Sequence, residues 1–282
     1  TTALAAAATL SANAAIADIS ITGSYEWSYN SLSSNQTALD GTTTMDESSL
    51  SISGGFGKIV LGKNDSVGDN FGIEAEDLIA EESTPNGNGA TVSTDTDIVA
   101  ASGDDNKVSY FLPAMGGFTA GISHTTTVTG ATDSTEYGAK YTTAAAGSTV
   151  TLGAATGTTE TASGTPDTDS QNIGVKIVNG PVSFIVAQSS YEADGEDREA
   201  NGASMSYNLG NGMTIGAYTM ESDDALDAGE EYSKSGAEVQ YVIASGLTAV
   251  VTVDDYEYKK GTGGSGTSDS GTNSKLTIKA SF

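Results

Sequence analysis

Apolar and polar residues alternate one by one along most of the chain, in segments of about ten residues. In the first segment, residues 17–30, Ile19 and Ile21 fall on one face and Ser20 and Thr22 on the other. A period of two is that of a β-strand whose two faces meet different surroundings. The pattern predicts fourteen strands, the last at 273–282 and the others beginning near Ala17, Asp46, Phe56, Asn106, Gly117, Ser134, Gly147, Gln171, Pro181, Gly202, Gly212, Tyr232 and Gly246.

The connections between these segments are short and long in strict alternation. Short turns are predicted at 54–55, 115–117, 144–146, 179–180, 210–212 and 245–246. Longer connections are predicted at 31–42, 64–105, 128–132, 158–169, 193–198, 222–230 and 259–271. Tight turns at one end and longer loops at the other are typical of an all-β, antiparallel up-and-down barrel in a membrane.

The composition agrees with a barrel that has a polar interior. Only 37% of the residues are hydrophobic, below the roughly 45–50% of a globular domain, and Gly, Ser, Thr and Ala make up the difference. A transmembrane barrel needs apolar side chains on its outer face alone. It must also close, because lipid offers no hydrogen-bond partner to an open sheet edge.

The charge balance excludes several classes of protein. The 37 acidic residues outnumber the 11 basic ones and give a formal net charge of -26, so nucleic acid is excluded as a partner and cations are favoured over anions. The chain has no Cys, which excludes disulfides and thiolate chemistry. The single histidine, His124, stands in a run of threonines and is a poor catalytic base. We therefore predict that the protein is not an enzyme.

The N-terminal segment, residues 1–17, is uncharged and rich in alanine. Two A-x-A patterns, ending at Ala14 and Ala17, are typical of a signal-peptide cleavage site. We interpret residues 1–17 as the remnant of an export signal and residues 18–282 as a single barrel domain. The alternative is a short alanine-rich helix that stays on the protein. No later stretch has the 18 apolar residues of a membrane-spanning helix.

Three stretches resemble one known family. Residues 51–63, SISGGFGKIVLGK, are similar to a strand pair that leads into a constriction loop, and residues 106–123, NKVSYFLPAMGGFTAGIS, are similar to the hairpin after it. The terminal Phe282 resembles the assembly signal of outer-membrane barrels. These features resemble the Gram-negative general diffusion porins, in particular the alphaproteobacterial ones.

The resemblance implies a homotrimeric, water-filled channel in the outer membrane, in contact with lipid and lipopolysaccharide, through which small polar solutes and ions diffuse. Most such porins have sixteen strands, with an additional hairpin before the residues that match 51–63. We find no residues for that hairpin, so fourteen strands are predicted and sixteen are the alternative.

The longest connection, residues 64–105, occupies the place of the loop that narrows a porin channel. Residues 69–82 could form a short helix. Acidic side chains on this loop are candidates for one side of a constriction: Asp69, Glu74, Glu76, Asp77, Glu81 and Glu82. By strand parity, lysines of the inner face are candidates for the opposite wall: Lys58, Lys107, Lys140, Lys176, Lys275 and Lys279.

Two interpretations of these charges stay open. Loop carboxylates that face wall lysines would create a transverse field that orients polar solutes. Alternatively, the lysines offset an acidic lumen or pair with Glu26, Glu136 and Glu238 on neighbouring strands.

Acidic clusters at 194–199 and 223–231 could hold Ca²⁺ in the outer loops. Their spacing fits no EF-hand, and we assign no cofactor and no metal ligands. The function that fits best is a cation-preferring porin. The alternative is a secreted acidic surface-layer or adhesin-type structural β protein, which shares the acidic, Cys-free composition.

Overall fold

The computed structural model describes residues 18–24, 47–80, 106–126, 133–160, 167–193, 196–224, 229–261 and 268–280. Within these ranges the chain forms one sheet of 14 strands in sequential order, and each strand pairs antiparallel with the next. The strands are β1 Asp18–Ser24, β2 Glu47–Gly54, β3 Gly57–Lys63, β4 Asn106–Phe111, β5 Phe118–Thr126, β6 Asp133–Ala145, β7 Ser148–Glu160, β8 Thr168–Asn179, β9 Val182–Ala193, β10 Glu196–Gly210, β11 Met213–Asp224, β12 Glu230–Ala244, β13 Leu247–Lys259 and β14 Asp269–Ala280. The predicted up-and-down β fold is confirmed.

The short turns follow the chemistry of two-residue hairpins. Ala146 and Gly147 connect β6 to β7 with φ of 51° and 82°, and Asn211 and Gly212 connect β10 to β11 with φ of 53° and 78°. Type I′ hairpin turns, which match the twist of the strands, require positive φ at both central residues, and Asn-Gly adopts this conformation readily. These turns set the register of the strands that follow.

The strands extend further on the long-loop side than the sequence predicts. Residues 193–198 were expected to be a connection, yet β9 runs to Ala193 and β10 begins at Glu196. Here both faces carry polar side chains, so the hydrophobic pattern ends before the hydrogen-bonded ladder does. The hydrophobic pattern therefore does not predict how far a strand continues beyond its last apolar residues.

The two faces of the sheet are the reverse of those in a water-soluble protein. Outward side chains such as Leu152, Ile173 and Leu276 are 48%, 60% and 68% exposed. Inward side chains such as Glu136 and Asp254 are buried at 1% exposure. An apolar exterior around a polar interior is the arrangement of a barrel in lipid.

Two short helices interrupt the long connection after β3. Helix α1, Val67–Phe71, begins at Ser66, whose hydroxyl accepts from the Asp69 N–H while the Asp69 carboxylate accepts from the Ser66 N–H, both at 3.1 Å. A 3-10 helix follows at Ala75–Leu78. The single helix expected over 69–82 is therefore wrong, because Gly72 is extended, with φ -56° and ψ 151°.

No helix in the described ranges is long and apolar enough to cross a membrane. The proposed export remnant, residues 1–17, and Glu26 lie outside the described residues.

Candidate functional site

The described part of the long connection, residues 64–80, lies along the inner face of the sheet. Helix α1 packs against β5, β6 and β7, and the 3-10 helix packs against β9, β10 and β11. At its first end, Lys107 Nζ on β4 donates to the Asn64 carbonyl at 2.6 Å. At its last described residue, Lys279 Nζ on β14 donates to the Ala80 carbonyl at 2.7 Å. Strands β4 and β14, ten positions apart in the sheet, thus contact one loop segment, so the sheet curves around it.

Polar side chains of the wall bind the backbone of helix α1. The Val67 N–H donates to Ser123 Oγ on β5 at 3.2 Å, and the Gly68 N–H donates to Glu136 Oε2 on β6 at 3.0 Å. Lys140 Nζ, also on β6, donates to the Asn70 carbonyl at 3.0 Å. A short helix leaves its first N–H groups without partners of its own, and here the barrel wall supplies them.

Asn172 on β8 binds both backbone groups of one loop residue. Its Oδ1 accepts from the Ile73 N–H at 3.0 Å, and its Nδ2 donates to the Ile73 carbonyl at 3.2 Å. Asn172 is 3% exposed and Ile73 is 1% exposed, so water is excluded from this pair. Further along, Glu238 Oε1 on β12 accepts from the Ala80 N–H at 2.8 Å.

Apolar contacts complete the attachment of the loop. Ile73 packs with Ile185 and Ala187 of β9. Ala75 packs with Tyr218 and Met220 of β11. These contacts form small dry clusters on an inner face that is otherwise polar.

The predicted loop carboxylates differ in exposure. Asp69 and Asp77 are exposed, and Glu74 and Glu76 are half-buried. Partial desolvation inside the barrel raises the pKa of the Asp69 carboxyl above its usual value, although its hydrogen bonds to Ser66 act in the opposite direction. Glu81 and Glu82 lie outside the described residues.

The predicted wall lysines have the inward parity that was expected, but they differ in role. Lys107, Lys140 and Lys279 donate to loop carbonyls. Lys58 Nζ lies 4.4 Å from the centre of the Phe111 ring.

One wall lysine also interacts electrostatically with carboxylates of the loop. Lys140 interacts with the carboxylates of Asp77 and Glu74 and with the neighbouring Lys176. Lys275 lies on β14 with the same inward parity as Lys279.

Sequence reasoning missed most of the attachment residues. Glu136 and Glu238 were considered as partners for lysines, whereas they accept backbone N–H groups of the loop. Ser123 and Asn172 were not singled out at all. Strand parity places these four side chains on the inner face, but only the path of the loop shows which of them it uses.

Features that would suggest catalysis or metal binding are not found among the described residues. His124 is exposed on the outer face and hydrogen bonds through Nδ1 to Thr135 Oγ1 at 2.9 Å. No group of three or more metal-ligating side chains occurs in the described ranges. Parts of the acidic clusters at 194–199 and 223–231 lie outside them.

An antiparallel barrel with an apolar exterior, a polar interior and a loop held inside it defines an outer-membrane channel. The model of the Gram-negative porin family matches residues 34–261, and the chain belongs to that family. The predicted resemblance is thereby confirmed, as is the location in the outer membrane. No curated protein matches the sequence significantly.

Solved porin structures share the fold at low sequence identity. An anion-selective porin from Comamonas acidovorans is 16% identical with a TM-score of 0.57, covering 84% of this chain and 78% of that one. The outer-membrane protein OmpT of Vibrio cholerae, in its trimer form, is 14% identical with a TM-score of 0.58, covering 86% and 82%. Salmonella typhi OmpF in complex with daunomycin is 12% identical with a TM-score of 0.60, covering 84% and 79%.

Proposed function

We propose that this porin is a passive channel for small polar solutes and ions, narrowed by the loop at 64–105, and not an enzyme. The observation that carries the proposal is the acidic loop segment 64–80, which wall side chains from β4 to β14 hold against the inner face. A loop fixed there reduces the open cross-section of the lumen. The family match removes the support for a surface-layer or adhesin function.

We propose further that the constriction carries a transverse field and prefers cations. Asp69 and Asp77 are exposed on the loop, while Lys58, Lys275 and Lys279 lie on the inner face of β3 and β14. The net charge of -26 favours cations in the channel as a whole. The anion-selective relative supports no preference of either sign for this chain, because their similarity extends to the fold alone.

Isosteric neutralisation of the loop tests this proposal. Purified protein is reconstituted into planar bilayers, and the reversal potential is measured in a potassium chloride gradient. The triple variant Glu74→Gln, Glu76→Gln, Asp77→Asn should lose most of the cation preference. Its matched control, Glu221→Gln, Asp255→Asn, Glu257→Gln, removes three carboxylates from the outer face and should retain it.

Two results would contradict different parts of the proposal. An equal reversal potential in both triple variants would refute a selectivity set by the loop. The absence of any conductance from the refolded wild-type chain would refute the channel itself.

We propose a homotrimer that contacts lipid and lipopolysaccharide. The trimer form of the Vibrio cholerae relative supports this assembly. Native mass spectrometry from detergent should give three copies of the chain, and a single copy at all detergent concentrations would contradict it.

A further inference from the structure

Four glycines lie on the inner face of four neighbouring strands, beneath the loop segment 71–73. They are Gly121 on β5, Gly138 on β6, Gly153 on β7 and Gly174 on β8, and we call them the glycine row. Gly121 pairs directly with Gly138, and Gly153 with Gly174. The row therefore leaves four neighbouring strands of the wall without a side chain where the loop touches them.

The loop occupies the space that side chains would fill. A Cβ on Gly138 would lie 2.5 Å from Phe71 Cβ, and a Cβ on Gly174 would lie 2.4 Å from the Ile73 carbonyl oxygen. A Cβ on Gly153 would lie 2.7 Å from Ile73 Cγ1. Carbon atoms in contact are normally separated by about 3.5–4.0 Å. A methyl group on Gly138, Gly153 or Gly174 would therefore push the loop about 1 Å from the wall.

The backbone of the row does not itself require glycine. None of its four residues has φ in the left-handed region, in contrast to the turn glycines Gly147 and Gly212. Glycine inside a strand weakens the strand, and it commonly marks the close approach of another backbone. The loop at 71–73 is the approaching segment: its backbone carbonyls meet Gly153 and Gly174, and the Phe71 side chain meets Gly121 and Gly138.

Other inward glycines have different neighbours. A Cβ on Gly236 would meet Asp254 and Tyr218, and a Cβ on Gly271 would meet the Tyr256 ring at 3.1 Å. Those glycines accommodate side chains of the wall itself. Contact with Phe71 or Ile73 of the loop distinguishes the glycine row from them.

We infer that the glycine row sets the distance between the loop and the wall and thereby determines the width of the channel. Asn172 fixes the position of Ile73 along the wall, and the glycines fix the distance of Ile73 from the wall. Because a loop pushed off the wall moves toward the open lumen, each added methyl group narrows the passage. This inference rests on the proposed channel function.

The experiment compares single-channel conductance and the size limit for neutral polymers in planar bilayers. Gly138→Ala and Gly174→Ala should lower the conductance and shift polymer exclusion to smaller sizes, with little change in the reversal potential. Gly271→Ala is the matched control, since it adds the same methyl group to the inner face where the nearest described neighbour is the Tyr256 ring and not the loop segment 64–80. Its conductance should equal that of the wild type.

Gly121→Ala is the milder second variant should the first two fail to fold, because its methyl meets the Phe71 ring at 2.9 Å. Wild-type conductance in folded variants of the row, or a conductance above wild type, would overturn the inference. A wild-type chain that opens no channel would instead refute the proposed function, so the two failures are distinguishable.

Discussion

Replacing Asn172 by alanine should release the loop at Ile73 without unfolding the barrel. The substitution removes two hydrogen bonds and leaves the Ile73 N–H and carbonyl buried without their partner. Each lost bond is worth about 1 kcal/mol and each unsatisfied group somewhat more, so the loop should lose roughly 2–3 kcal/mol of local stability. At 1.4 kcal/mol per factor of ten, the Ile73 amide should exchange about 30- to 140-fold faster.

Hydrogen–deuterium exchange with mass spectrometry in detergent measures this directly on peptides that contain Ile73. Asn172→Asp should have an intermediate effect, because the carboxylate still accepts from the Ile73 N–H but cannot donate to the carbonyl. Gln171→Ala is the control, since the neighbouring side chain is exposed on the outer face of the same strand. Equal exchange at Ile73 in Asn172→Ala and Gln171→Ala would refute the role assigned to Asn172.

Two further predictions concern charged groups of the site. Because desolvation raises the pKa of Asp69, acidification should protonate this carboxyl group before an ordinary one. When the reversal potential is titrated against pH, Asp69→Asn should therefore remove the first step of the curve. An unchanged titration curve would contradict that assignment. Lys107→Met should lower the free energy of unfolding by about 1.5–3 kcal/mol because the Asn64 carbonyl loses a charged donor. Urea unfolding in detergent measures this, with Lys63→Met on the outer face as control; equal loss in both variants would be the contrary result.

The fold could be predicted because the barrel imposes a period of two on the sequence. On β8, Ile173, Val175 and Ile177 face outward and are separated by Gly174 and Lys176, which face inward. The start of this strand could not be predicted in the same way. Beyond the apolar band both faces are polar, and the ladder continues on backbone hydrogen bonds alone.

The candidate site could be predicted only in part. The resemblance to porins indicated that residues 64–105 form a loop inside the lumen, and parity placed the lysines on the inner face. The anchoring contacts join residues far apart in sequence, such as Asn172 and Ile73, 99 positions apart. A hydrophobic pattern contains no information about such pairs. The glycine row could not be predicted from the sequence as a group. Only the strand register shows that these inward glycines lie on neighbouring strands beneath the same loop segment.

The attachment of the loop separates the width of the channel from its selectivity. The wall binds the loop mainly through backbone N–H and carbonyl groups, including those of Gly68, Ile73 and Ala80. The carboxylates of Asp69 and Asp77 take no part in these backbone hydrogen bonds, although Asp77 also interacts electrostatically with Lys140. Substitutions in the glycine row should therefore change the conductance but not the ion preference. Neutralisation of the loop carboxylates should change the ion preference but not the size limit for solutes. If glycine-row variants and carboxylate variants each changed both the conductance and the ion preference, the loop would have moved in both. The backbone hydrogen bonds would then not be what holds the loop in place.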